Sequence, residues 1–378
     1  MKDKATLVFL TNFASPHTIP IADELHILYG DGFMYIESRQ LSKERRDLGY
    51  NSYSNRPYVI SYSRFINNQE HYRQIINKSD ALIASFGSID NALLNDRLAQ
   101  DKVTLLMTER LFKKGVLKLV DPKFWKTLKF IQKYKCNKKL SLLCMGAYVA
   151  KDFSLCGFPI HQMYKFGYIT QPIKIESQNK QNTDVVNILW VGRLIWWKQP
   201  FDAIKAVVDI IKKGYKVRFQ IVGTGKLSSK VDSFISQLGL SEIEFIGKLP
   251  NNEVQRLMAF SDILLCTSNR LEGWGAVVNE GMSMGCVVVA NEKMGATKYL
   301  IKDGETGFTY KGGWRNLSKT IEIAINADKE EISNNAMNEI VNNWNSNEAA
   351  RRLSFLIDTI DCNTPPISYD RGALCNKA

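Results

Sequence analysis

Two carboxylates eight residues apart, Glu272 and Glu280, flank a Gly273-Trp274-Gly275 turn in the stretch CTSNRLEGWGAVVNEGMSMGCVVVA, residues 266–290. Glycines at such a turn let backbone approach a ligand closely. A strand ending at Thr267 and a helix over Ala276–Met284 are predicted around it. The free N–H groups at that helix start, near Ala276 and Val277, form an anion site. Glu280 falls one turn into the helix, on the stripe that Val277 and Met284 bracket. A carboxylate there is suited to accept two hydrogen bonds, as from the paired hydroxyls of a ribose. Glu272, in the loop, is placed to reach sugar hydroxyls beside a phosphate; taken alone it reads equally well as a solvated loop charge. Glu280, in an otherwise apolar run, is harder to read as surface.

A second group precedes it. In Trp190-Val191-Gly192-Arg193-Leu194-Ile195-Trp196-Trp197-Lys198 a strand ends in a glycine turn and leaves Arg193 and Lys198 in the loop. A guanidinium forks onto phosphate oxygens and an ammonium supplies a point charge, so the pair suits a diphosphate. Singly, such cations are ordinary surface charges.

The elements that must position these groups alternate between strand and helix. In the first half, strands are predicted at Ala5–Leu10, Phe33–Glu37, Ala81–Ser85 and Val103–Met107, with a loop Thr11–His17 and a helix Ile19–Tyr29 after the first. Residues Glu176–Asp184 (ESQNKQNTD) carry no apolar period and read as a linker. The pattern then restarts: strand Val186–Val191, helix Pro200–Lys213, strand Val217–Val222, a Gly223-Thr224-Gly225 turn, helix Leu227–Leu238, strand Ile243–Ile246, helix Asn252–Phe260, strand Ile263–Thr267, helix Ala276–Met284 and strand Val287–Ala290. Such alternation argues for parallel sheets wrapped by helices, with ligands outside the carboxyl ends of the strands. At 378 residues two domains are expected, because single cores stop growing at roughly 250–300 residues. The reading is an α/β chain of two doubly wound, Rossmann-like domains facing a central cleft: 1–175, 185–361, and a loosely ordered tail 362–378.

With these residues in place, the chain resembles the family-four retaining glycosyltransferases of the GT-B fold, of the bacterial surface-polysaccharide type. The family signature is a Gly-Arg…Lys loop followed about eighty residues later by Glu-x7-Glu, matched here by Arg193, Lys198, Glu272 and Glu280. Val222-Gly223-Thr224-Gly225, Phe245-Ile246-Gly247-Lys248-Leu249-Pro250, Ser261-Asp262-Ile263 and Asp303-Gly304-Glu305-Thr306-Gly307-Phe308 agree with it, so that residues 187–313 carry the resemblance. It implies a hexosyltransferase-type enzyme that retains anomeric configuration, needs no metal or cofactor, and uses a nucleotide-sugar, by family habit UDP-linked, as co-substrate. It implies that Arg193 and Lys198 hold the diphosphate, Glu280 the ribose and Glu272 the donor sugar, with Gly192, Gly223, Gly247, Lys248, Gly273, Trp274, Gly275, Ala276 and Val277 completing the donor site. Catalysis then rests on positioning and on stabilising the departing diphosphate, through Glu272, Arg193 and Lys198. On the acceptor side, Asn12 and His17 stand in the first loop, where many members have a glycine pair. Ser85-Phe86-Gly87-Ser88 stands where some carry a histidine. His17 is placed either to deprotonate an acceptor or to cap the next helix. Glu109, just past a strand end, points to the same side.

Charge is unevenly spread. Residues 1–173 hold 25 Lys+Arg against 15 Asp+Glu, and residues 174–378 hold 25 against 23. The excess concentrates in RLFKKGVLKLVDPKFWKTLKFIQKYKCNKK (110–139), with eleven Lys+Arg and the single acid Asp121. Phe112, Leu117, Phe124, Trp125, Leu128, Phe130 and Tyr134 are interleaved. A basic amphipathic segment with Trp and Phe reads as lying in an anionic membrane interface, through Lys113, Lys114, Trp125, Lys126 and Lys129; the plain alternative is a solvated basic face over a core helix. No apolar run reaches ~18 residues, and the start reads as a strand, not a signal peptide. Seven scattered cysteines without a CxxC pair suit reduced thiols, and four separated histidines give no zinc spacing. These readings place the protein in the cytoplasm, on the inner face of the membrane, with a saccharide or lipid-linked saccharide acceptor and no nucleic acid partner. The rivals are a GT-B sugar-nucleotide epimerase, a basic nucleic-acid-binding protein and a dinucleotide enzyme. The last lacks its third fingerprint glycine, since Ser228 occupies that place. A P-loop is excluded because Leu227 follows Gly225-Lys226.

Overall fold

The computed structural model describes residues 6–47, 52–169, 184–362 and 369–375. They form two compact units, one of residues 1–171 with 343–378 and one of residues 172–342. The expected linker 176–184 lies, except for Asp184, outside the described residues.

The first unit is built on a parallel sheet of β1 (Leu7–Thr11), β2 (Phe33–Glu37), β3 (Val59–Ile60), β4 (Ala81–Ser85), β5 (Val103–Thr108), β6 (Leu140–Met145) and β7 (Met163–Phe166). Their order is β3-β2-β1-β4-β5-β6-β7. β1, β5 and β6 are buried at every position, as parallel strands covered by helices on both faces must be. Their continuous apolar runs follow from that. β3, β6 and β7 go beyond the four strands expected. β6 directly follows the lysine-rich stretch, whose charge masks it, and β3 has only two residues.

The second unit repeats the plan with β8 (Val186–Val191), β9 (Val217–Val222), β10 (Ile243–Gly247), β11 (Ile263–Cys266), β12 (Val287–Asn291) and the unforeseen β13 (Phe308–Tyr310), in the order β10-β9-β8-β11-β12-β13. The helix Pro200–Lys212 starts with proline, whose missing N–H costs nothing in a first turn. It buries Ile204, Val207 and Ile210 against this sheet; each such side chain contributes about 1.5–3 kcal/mol. In each sheet the chain runs outward from the centre and then crosses back. The crossing points lie between β1 and β4 and between β8 and β11, where doubly wound sheets open a crevice for ligands at the strands' carboxyl ends.

The expected second domain, 185–361, is corrected at its end. The helix Ser346–Asp361 packs on the helix Ile19–Tyr29 of the first unit, with Tyr29 and Ser354 hydroxyls 2.9 Å apart. Lys139, buried, donates to the carbonyls of Ile360 (3.0 Å) and Asp361 (2.6 Å), which the helix end would otherwise leave without partners. Leu374 N–H donates to the Lys165 carbonyl at 2.7 Å and Lys165 N–H to the Cys375 carbonyl at 3.0 Å, so residues near 374 run along the free edge of β7, with Ala373, Leu374 and Cys375 buried. Residues 363–368 and 376–378 lie outside the described residues.

Candidate functional site

At the crossing point of the second unit the loop after β8 meets the loop after β11. Thr267, at the end of β11, accepts a hydrogen bond from the Trp190 indole (2.8 Å) and donates to the Lys198 carbonyl (2.6 Å). Asn269 N–H donates to the Trp197 carbonyl at 2.8 Å. These bonds fix Lys198 opposite the 267–276 loop. Its ammonium lies 2.5 Å from a Glu272 carboxylate oxygen, both side chains mostly enclosed. Glu280, in the first turn of the helix Val277–Ser283, feels Lys198 as well. Burial pushes its carboxyl up, and the ammonium partly offsets this. The buried Cys266 thiol beneath, pushed up by burial, is reached by the fields of Lys198, Glu280 and Glu272. One cation thus pairs with Glu272 and lies within electrostatic reach of Glu280.

The glycine turn is built to hold this loop down. Trp274 is buried and donates from its indole to Asn279 at 2.7 Å. Gly275 has φ +96°, and a side chain there would run into the Met294 methyl. Val278 N–H caps back onto the Gly275 carbonyl at 3.0 Å. The expected helix Ala276–Met284 is shorter by a residue at each end, with Ala276 as its cap residue.

Gly223 follows β9, and a side chain on it would collide with the Gly192 carbonyl. Gly192 N–H donates to the Val222 carbonyl (3.0 Å), Gly223 N–H to the Gly247 carbonyl (2.7 Å) and Leu194 N–H to the Thr224 carbonyl (2.9 Å). The three loops after β8, β9 and β10 are therefore laced together by backbone. Arg193 lies in the first, 5.9 Å from the Trp197 ring centre, and Lys248 follows the third. Trp196, which the sequence reading did not assign, projects from the same loop with 62% of its surface exposed.

Asn12, His17 and Glu109 belong to the first unit. All three line one cavity of about 500 Å³ at the carboxyl ends of its strands. His17 stacks on Tyr168 with ring centres 4.8 Å apart. Burial, with Arg45 second, holds its imidazole down at about 4, so it is neutral at pH 7. It is not the helix cap: Thr18 occupies that position. Asn12 accepts from the Ser88 hydroxyl at 3.1 Å. Glu109 pairs with Lys113. Arg45, Arg110, Lys118 and Lys123 also line the cavity, and the sequence reading named none of them. Their signal was dispersed over the helix Lys43–Asp47, the loop after β5, a 3₁₀ turn and a second helix start.

The lysine-rich segment is split. A 3₁₀ turn Gly115–Val120 precedes the helix Pro122–Tyr134, which Asp121 caps through Lys123 N–H. Phe124 and Tyr134 are core residues of the first unit, and Phe112, Leu128 and Phe130 pack against that core. These five aromatic and apolar residues therefore do not form an outward face. Leu117, Leu119, Val120 and Trp125 remain exposed, with the Trp125 indole donating to the Leu119 carbonyl at 2.8 Å. Among the described residues no helix is long and apolar enough to cross a membrane, no cluster of three metal-ligating side chains occurs, and all seven cysteines are free.

Two doubly wound parallel units are the architecture of the GT-B fold. HepE from Anabaena in complex with UDP superposes with a TM-score of 0.69 over 94% of this chain and all of that one, at 16% identity. Residues 172–343 match the family described as glycosyl transferases group 1. An uncharacterized glycosyltransferase of Methanocaldococcus jannaschii is 32% identical over 142 residues, which is 37% of this chain and 38% of that protein. The capsular polysaccharide biosynthesis glycosyltransferase CapM of Staphylococcus aureus is 25% identical over 49% of each chain. The chain therefore spans half or less of the length of these curated relatives.

Two outcomes follow from the geometry. Replacing Lys198 by Met strands two carboxylates, and urea unfolding at pH 7 is expected to show a loss of about 1–3 kcal/mol. Adding Glu280→Gln should recover part of it, with a coupling of at least about 0.5 kcal/mol; strictly additive effects would show that Lys198 does not serve both carboxylates. His17 tests the first unit. Its imidazole is held below the ordinary value, so protonation favours the unfolded chain. Its contribution is whole above about pH 6.5 and is lost as pH falls toward about 4. The wild type should lose up to about 3 kcal/mol more than His17→Gln over that window. Equal losses would refute the burial of His17.

Proposed function

We propose that the protein is a metal-independent, retaining glycosyltransferase that moves a hexose from a nucleotide-sugar, UDP-linked, to a glycan or lipid-linked saccharide during surface polysaccharide synthesis. The observation that carries this reading is Lys198 paired with Glu272, and within electrostatic reach of Glu280, at the crossing point of the second unit. With the donor bound, Lys198 and Arg193 share the diphosphate and stabilise the charge that grows on it as the sugar departs. Glu280 accepts from the ribose hydroxyls. Glu272, loosed from Lys198 by the incoming phosphate, accepts from the sugar. The backbone of Gly192, Gly223, Gly247, Gly273, Gly275, Ala276 and Val277 forms the wall, with Trp274 beneath and Lys248 at the edge. The match to group 1 glycosyl transferases and the likeness to CapM support the activity and its polysaccharide setting. The likeness to HepE, whose structure holds UDP, supports the nucleotide. No cofactor enters this scheme.

The first unit takes the acceptor in its cavity, where neutral His17 accepts the hydroxyl proton and Asn12 and Glu109 hold neighbouring hydroxyls. The exposed Leu117, Leu119, Val120 and Trp125, beside Lys113, Lys114, Lys126 and Lys129, rest on the anionic inner face of the cell membrane.

A thermal-shift panel of UDP-, GDP- and ADP-sugars on wild type and Glu280→Ala tests the donor reading. At a hundredfold excess over Kd, a ligand adds about 2.7 kcal/mol. UDP-sugars should raise the wild-type midpoint and leave Glu280→Ala unmoved, while the unliganded variant melts no lower, since it no longer buries a carboxyl. A response to none of the three nucleotides would overturn the reading. For the membrane, sedimentation with vesicles containing phosphatidylglycerol should capture the wild type and release most of a Trp125→Ser, Lys126→Gln, Lys129→Gln variant. Equal capture would remove this face from the proposal.

A further inference from the structure

Asn279 carries a fully buried amide in the first turn of the helix Val277–Ser283. Burying an amide is costly unless it is hydrogen-bonded. Its carbonyl oxygen accepts from the Trp274 indole at 2.7 Å, so it serves the turn to which Trp274 belongs. Trp274 is held at two further points. Its carbonyl accepts from the Ala296 N–H at 3.0 Å, and its ring centre lies 6.0 Å from that of Tyr299. The next residue is Gly275, whose bare Cα faces two side chains. A Cβ there would come 2.5 Å from the Met294 methyl and 3.4 Å from Glu272 Cγ. Glu272 therefore folds its side chain across Gly275 on the way to Lys198. Contact runs from Asn279 to Trp274, through the chain to Gly275, and from Gly275 to the arm that carries the Glu272 carboxylate.

Glu280 is placed differently. Its N–H bonds to the Ala276 carbonyl at 3.0 Å, so helix geometry sets it. Glu272 lies in a loop, anchored by its N–H to the Asn269 carbonyl at 3.0 Å, and its side chain takes its direction from what it lies against. We propose that Asn279 and Trp274 are positioning residues: their hydrogen bond sets Gly275 against Glu272 and thereby aims the Glu272 carboxylate at the donor sugar. A hydrogen bond is directional where apolar contact is not, which suits it to fixing one orientation. The inference rests on the reading of Glu272 as the sugar's partner and of Glu280 as the ribose's. It divides the donor in two: the nucleotide is held by groups that do not need this bond, and the sugar by one that does.

The test is calorimetric titration of UDP and of UDP-glucose into the full chain as wild type, Asn279→Leu and Trp274→Phe. Each variant removes one partner of the bond, and Trp274→Phe keeps an aromatic ring in place. UDP-glucose affinity should fall at least about tenfold in both, while Asn279→Leu binds UDP within about twofold of wild type. Equal weakening of the two ligands, or weakening of neither, overturns the proposal. The Asn279→Leu, Trp274→Phe double variant separates positioning from stability. With both polar partners gone its thermal midpoint should return toward that of the wild type, while UDP-glucose binding stays weak; recovery of both together overturns the proposal. A second readout needs no ligand. Acylation takes the free amine, which an ammonium paired with a carboxylate yields reluctantly. Acylation of Lys198 by acetic anhydride, read by peptide mass spectrometry, should run at least about threefold faster in Asn279→Leu, with the buried Cys286 thiol still unreactive as the sign that the unit is folded. An unchanged rate overturns the proposal. If UDP-glucose fails to bind the wild type while Lys198 reacts faster in the variant, the donor reading falls and the positioning of Glu272 stands.

Discussion

A single ammonium group holds the second unit's site in a workable state. Glu272 and Glu280 approach the same point from a loop and from a helix, and both are largely withdrawn from water. Lys198 pairs with Glu272 directly and offsets part of the upward push that burial gives the Glu280 carboxyl. The cation in turn depends on backbone: the Lys198 carbonyl is tied to Thr267 and the Trp197 carbonyl to Asn269. Charge, loop and strand end therefore stand or fall together.

The same loop depends on a close approach of main chains. Gly192, Gly223 and Gly247 end three neighbouring strands, with Gly192 N–H donating to the Val222 carbonyl and Gly223 N–H to the Gly247 carbonyl. A side chain at Gly223 would force the first two loops apart. The displaced loop is the one that carries Arg193 and Lys198. The Gly-x-Gly after β9 thus has a packing duty that is independent of phosphate binding, which explains why it resembles a dinucleotide fingerprint without completing it.

The sequence made some of this legible and hid the rest for physical reasons. Glu272 and Glu280 lie in one strand–loop–helix unit, so their spacing alone brings them together. Lys198 could be linked to them only because β8 and β11 are neighbours at the centre of a doubly wound sheet. The strands β2, β4, β8 and β9 matched the expected bounds residue for residue. β6 did not stand out beside its lysines, and β3 is too short to announce itself. Arg45 and Lys123 reach one cavity from positions far apart in the chain, which no local pattern records. The lysine-rich segment misled in part because its aromatics serve the core: Phe124 and Tyr134 face inward while Trp125 faces out.

The helix Ser346–Asp361 has a consequence for the order in which the molecule can be made. The second unit is continuous in the chain, so all its strands are in hand once residue 342 has left the ribosome. The first unit is interrupted: Tyr29 waits for Ser354, Lys139 for Ile360, and β7 for the stretch around Leu374. Domains emerging from a ribosome ordinarily settle from the amino end. Here the amino-terminal sheet must remain uncapped on one side, with apolar surface uncovered, while the later unit is synthesised and folds. Its slow step is therefore the closure of contacts more than 200 residues apart in the chain, and chaperone demand should centre on the half of the protein that is translated first.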